Sequence, residues 1–95
     1  MDKKYVESLE RVGLTVPEAK IYLALIELKE SQTGSLCKKS GVSSSNVYPV
    51  LDSLIKKGFV SYRLQNNIKV FMPSNPDAIK ELFREKQENL AKEGR

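Results

Sequence analysis

The sequence predicts a mainly α domain carrying one small β-hairpin, and three observations make that prediction. Apolar residues recur at helical spacing as far as Ile55, glycines stand where those stripes end, and the spacing turns to alternation between Val60 and Met72. A last helical stripe follows Asn75, so the order is helix, helix, short helix, helix, hairpin, helix.

The first helix rests on Tyr5, Val6, Leu9 and Val12, with Gly13 as its stop. Thr15-Val16-Pro17-Glu18 opens the second: Thr can cap, Pro fits the first turn, and Glu at the third helical position completes a capping box. Ala19, Tyr22, Leu25 and Ile26, flanked by Ile21 and Leu28, form its broad apolar face. Ser31 to Ser35 is polar and interrupts the pattern. Leu36 to Ser40 then makes a helix of barely two turns, ended by Gly41. Ser43, Ser44 and Ser45 offer caps for the fourth helix, whose apolar face is Val47, Val50, Leu51, Leu54 and Ile55 and whose stop is Gly58. Pro49 lies inside this helix and, lacking a backbone donor, is expected to kink it or to delay its start to Ser45.

Val60, Tyr62 and Leu64 alternate on one strand, and Ile68, Val70 and Met72 on the next. Both sets share a face if three residues, Gln65-Asn66-Asn67, make the turn. That register places Arg63 directly opposite Lys69, a like-charge pair that favours something anionic lying against it. Asn75-Pro76-Asp77 starts the added C-terminal helix, with Ile79, Leu82, Phe83 and Leu90 as its stripe. Two helices joined through Gly41 and followed at once by a hairpin define a helix-turn-helix with a wing. The expected division is residues 1–75 for the winged helix-turn-helix and 76–95 for a dimerisation element.

A chain of 95 residues has room for one modest core, and its 40% hydrophobic and 29% charged residues fit a folded domain in water. No apolar stretch is long enough to span a bilayer, and the opening Met1-Asp2-Lys3-Lys4 leads into no signal core, so a cytoplasmic location is expected. Cys37 is the single cysteine and there is no histidine, which leaves no disulfide and no metal site within one chain. Cys37 is expected to be buried as a small hydrophobe. Without histidine or a phosphate-cradling glycine loop, the residues give no enzymatic reading, no cofactor and no evident small-molecule effector.

The net charge of +4 is concentrated centrally. Between Thr33 and Pro73, Lys38, Lys39, Lys56, Lys57, Arg63 and Lys69 face Asp52 alone, while the flanking segments are close to neutral. Such a one-signed segment is the footprint of a surface that meets a polyanion, although a chance imbalance on a solvated face would look the same.

Gly13 to Leu25 (GLTVPEAKIYLAL) and Leu36 to Val60 (LCKKSGVSSSNVYPVLDSLIKKGFV), with Asn75-Pro76 where a further helix begins, resemble the opening, the helix-turn-helix and the wing of TrmB-type archaeal transcriptional regulators. The similarity runs over about residues 9 to 82, and related MarR-like winged helices share its outline. It implies a winged helix and a double-stranded DNA partner. It does not imply sugar sensing, which longer members place in a separate domain. This chain also has Ser44, Ser45 and Asn46 where the family's reading helix commonly opens with basic residues.

In such an architecture the fourth helix enters the major groove. The expected base readers are Ser44, Ser45, Asn46, Pro49 and Ser53, with Asp52 beside them; Asn46 leads because its amide can pair twice with adenine. Lys38, Lys39, Lys56, Arg63, Asn66, Asn67 and Lys69 are assigned to the DNA backbone. Tyr22, Tyr48 and Phe71 are expected in packing rather than base stacking. A homodimer is expected through Tyr5, Leu9, Ile79, Leu82, Phe83 and Leu90. Two alternatives stand beside sequence-specific regulation: a winged helix used for protein contact, and a low-specificity chromatin protein.

Overall fold

The computed structural model describes residues 3–74, so Ile79, Leu82, Phe83, Leu90 and the expected C-terminal helix lie outside the described residues. Four helices and a hairpin follow in chain order: α1 Lys3–Arg11, α2 Val16–Leu28, α3 Thr33–Ser40, α4 Ser44–Lys56, β1 Val60–Gln65 and β2 Ile68–Pro73.

The central element is α2. Thr15 accepts from the Glu18 amide while the Glu18 carboxylate accepts from the Thr15 amide at 2.7 Å, so the capping box closes as the sequence predicts. Ala19, Ile21, Tyr22, Ala24 and Leu25 are all buried, because α1, α3, α4 and the hairpin cover α2 from several sides. Ile26, expected on the buried face, is exposed instead. Ile21, Leu25, Leu36, Val47, Leu51 and Leu54 form the centre of the core, and Tyr22 meets Phe59 edge to face at 5.6 Å. Leu9 of α1 belongs to this same core, so it has no side chain to offer a second chain, whereas Tyr5 is exposed.

The short helix α3 begins at Thr33, three residues before the apolar pattern suggests, and ends at Gly41 in the left-handed region. Cys37 is half-buried against the core rather than enclosed. Ser43 caps α4 through its backbone position, and the helix runs from Ser44 straight through Pro49. Proline here neither delays nor ends the helix. The donor it lacks would have served the carbonyl of Ser45, an exposed residue, so solvent can take that acceptor.

The hairpin register differs from the expected one. Asn66 and Asn67 both have positive φ, at 54° and 64°, which makes a two-residue turn whose twist suits antiparallel strands. Leu64 therefore pairs with Lys69, and Arg63 with Val70. The Arg63–Lys69 opposition does not exist, and the two cations lie on opposite faces. At its base the hairpin gains a third backbone partner, since Ser31 and Phe71 exchange amide hydrogen bonds at 2.9 and 2.8 Å.

Candidate nucleic-acid interface

The turn between α3 and α4 fixes the helix that would read DNA. The buried Ser40 hydroxyl donates to the Leu36 carbonyl and accepts from the Val42 amide at 3.1 Å, so Gly41 can reverse the chain without orphaning a polar group. At its far end α4 is tied to α2. The Lys57 ammonium donates to the Glu18 carboxylate at 2.7 Å and to the Gly13 carbonyl at 3.0 Å. Burial pushes the Glu18 carboxyl up, but the bonds from Lys57 and Thr15 prevail and lower it to about 2. Its second oxygen is buried with no hydrogen bond of good geometry, although the Ser53 hydroxyl lies alongside.

The outward face of α4 begins with Ser44, Ser45 and Asn46 and continues through Pro49, Asp52 and Lys56, all exposed. Four of the five expected readers, Ser44, Ser45, Asn46 and Pro49, thus share one accessible end. Ser53 does not join them; it is half-buried on the side of α4 turned toward Glu18.

Tyr48, expected in packing, is misplaced by the sequence reading in the other direction from Ser53. It is 57% exposed beside Asn46 and Pro49, and its hydroxyl meets that of Thr33 at 3.5 Å, which links α4 to the first residue of α3. A signal was available: Tyr48 falls off the stripe defined by Val47, Leu51 and Leu54.

The central cations divide into two groups. Lys39 pairs with Glu27 at 2.9 Å, Lys57 with Glu18, and Arg63 with both oxygens of Glu30 at 2.8 and 2.9 Å. The carboxyls of Glu27 and Glu30 are correspondingly lowered by the bonds they accept from Lys39 and Arg63. Lys38 and Lys56 are exposed with no ion pair among the described residues. Lys69 instead stands 4.8 Å from the centre of the Tyr62 ring, a cation–π contact that the observed register permits. The positive field is therefore weaker than residue counting suggests, because Glu18 and Glu27 of α2 and Glu30 just beyond its end answer half of it. The tip residues Asn66 and Asn67 are exposed.

A helix-turn-helix followed directly by a hairpin, with an uncommitted polar helix face, defines the winged-helix class of DNA-binding regulators. Residues 9–77 match the family described as sugar-specific transcriptional regulator TrmB, and the chain belongs to that family. It is 33% identical over 85 residues to the HTH-type sugar sensing transcriptional regulator TrmBL1 of Pyrococcus furiosus, covering 90% of this chain and 25% of that protein. The chain thus spans about a quarter of the length of that curated relative. Among solved structures it resembles TrmBL2, described as an archaeal chromatin protein, with a TM-score of 0.76 at 29% identity over 97% of this chain and 35% of that one. A possible transcriptional regulator from Methanosarcina mazei shares the fold with a TM-score of 0.72 at 14% identity, covering 98% of this chain and 82% of that one.

Proposed function

We propose that this chain binds double-stranded DNA sequence-specifically as a cytoplasmic transcriptional regulator, with α4 in the major groove and Lys38, Lys56 and Lys69 on phosphates. The observation that carries the reading is the exposed end of α4, where Ser44, Ser45, Asn46, Tyr48 and Pro49 face outward with no acidic neighbour before Asp52. Short hydroxyl and amide side chains at a helix start suit base edges, and their neutrality leaves affinity to the flanking lysines. Homodimerisation through Tyr5 and the stripe Ile79, Leu82, Phe83 and Leu90 completes the proposal, since two-fold pairing would present two reading helices to a palindromic site.

A second reading, a low-specificity chromatin protein, is favoured by one observation: no arginine or lysine stands among the exposed residues at the start of α4. Selection of bound duplexes from a random library, followed by salt titration on the winner and on scrambled DNA, tests both. Specific regulation expects a preference of at least about a thousandfold for the winner. Comparable binding of all duplexes would establish the chromatin reading. Absence of salt-dependent binding would leave a winged helix used for protein contact.

A further inference from the structure

An open cleft of about 610 Å³ lies between α1, the first turns of α2 and the end of α3, and it shares no residue with the DNA-binding surface proposed above. Its walls follow from helical spacing. Val6 and Glu10 stand one turn apart on α1, and Val16 and Lys20 one turn apart on α2, so each helix offers the cleft a valine and a charge. Glu7 adds a second carboxylate to the α1 wall, while Lys39 and Ser40 close the cleft at the last turn of α3. Val6 is half-buried against the core and Val16 is 40% exposed. Because the lining comes from three helices, no local motif announces it.

The charges of the cleft are sorted by wall and are not spent on one another. Glu7, Glu10 and Lys20 are exposed and join no ion pair among the described residues. Lys39 is already held by Glu27 at 2.9 Å, so its charge is not counted here. Two carboxylates thus line one side, one ammonium the other, and each side carries a valine. A simple anion would meet the two carboxylates, a simple cation would meet Lys20, and an apolar compound would dry all three charges without giving them a partner. A small ligand carrying both signs satisfies both walls at once.

We propose that this cleft binds a free α-amino acid with an aliphatic side chain. The ammonium sits with Glu7 and Glu10, the carboxylate on Lys20, and the side chain lies against Val6 and Val16. The volume is ample for such a ligand and its remaining water. Ser40 gives the place its consequence: its hydroxyl bonds Leu36 and Val42 across Gly41, so the occupant rests against the joint from which α4 is hung. The inference goes beyond the DNA-binding reading and does not depend on it, since the ligand is bound without DNA.

The test is calorimetric titration of the chain with leucine and, in parallel, with isoamylamine and isocaproate, which keep the side chain but lack the carboxylate and the ammonium respectively. Leucine should bind with a dissociation constant of about 1 mM or below, and each analogue at least about tenfold more weakly. Amide chemical shifts locate the ligand: those of Val6, Val16 and Ser40 should move on adding leucine, and those of the wing tip at Asn66 should not. Lys20→Glu is the decisive variant. Lys20 is exposed, so the fold is not at stake, and the change should abolish leucine binding while strengthening that of isoamylamine, a gain that an unfolded chain cannot give. Glu10→Gln should weaken leucine severalfold. No heat from leucine at about 10 mM overturns the proposal, as does an analogue that binds as tightly as leucine, which would make the cleft a site for a single ion. Shifts confined to other residues, or leucine binding unchanged in Lys20→Glu, overturn it equally. None of these outcomes touches the DNA-binding reading, which the duplex selection tests separately.

Discussion

Lys57 at the end of α4 donates to the buried carboxylate of Glu18 in the first turn of α2, across 39 residues of sequence and 2.7 Å of space. This bond fixes one end of the reading helix to the centre of the domain, and it depends on the carboxylate staying charged. Glu18 titrates at about 2 in the fold against an ordinary 4.5. A depressed folded value means that the pair stabilises the fold fully above about pH 4.5 and that this contribution is lost as the pH falls toward 2. Glu18→Gln should therefore cost about 2–3 kcal/mol at pH 7 and much less near pH 2. Urea denaturation at both pH values checks this; an equal cost at each would assign Glu18 only its capping role.

The reading end of α4 gives a second expectation. Asn46→Ala should weaken binding to the preferred duplex by about 1–3 kcal/mol and relax one base position, as loss of a two-point base contact does. Tyr48→Phe removes only a hydroxyl and should lower affinity for all duplexes alike. Competition binding with single-base variants of the selected site separates the two patterns. Uniform losses for Asn46→Ala would make that residue a phosphate contact.

The order of elements was legible because each signal was local. Capping at Thr15, the left-handed stop at Gly41 and the stripe of Val47, Leu51 and Leu54 depend on neighbours within a turn or two of helix. The hairpin register was not legible, because it turned on whether one or two asparagines would accept positive φ, and Asn66 and Asn67 both do. The site was half legible. Exposure of Ser44, Ser45, Asn46 and Pro49 follows from helix phase, but the pairing of Lys39 with Glu27 and of Arg63 with Glu30 is a tertiary event that no spacing rule reaches. Ser53 was lost for the same reason, since only the packing of α4 against α2 turns it inward.

Self-association forms the third expectation. Tyr5 is 60% exposed on α1, and in sequence Ile79, Leu82, Phe83 and Leu90 recur at helical spacing, interrupted by Lys86. A contact of that length should be weak. Sedimentation should show a dimer at tens of micromolar for the wild type and a monomer for Phe83→Glu/Leu90→Glu. A wild type that remains monomeric while binding a half-site tightly would remove the two-fold arrangement.

The last prediction concerns Glu30, which holds the Arg63 guanidinium through two bonds at 2.8 and 2.9 Å while both side chains stay about half exposed. An exposed pair of this kind adds little to folding, so its consequence lies in binding. While Glu30 holds it, Arg63 presents a neutralised group to DNA, and a phosphate must compete with a carboxylate of the same chain. Arg63→Ala in the wild-type background should then leave the salt dependence nearly unchanged. Glu30→Gln should free the guanidinium, tighten binding to every duplex severalfold and steepen the slope of log affinity against log salt by about 0.9. Salt titration of the two single variants and the double variant checks this, because the gain must vanish when Arg63 is absent. A weaker complex for Glu30→Gln at an unaltered slope would show the opposite arrangement: the ion pair would be a brace that aims the wing, and Arg63 would leave the set of phosphate contacts.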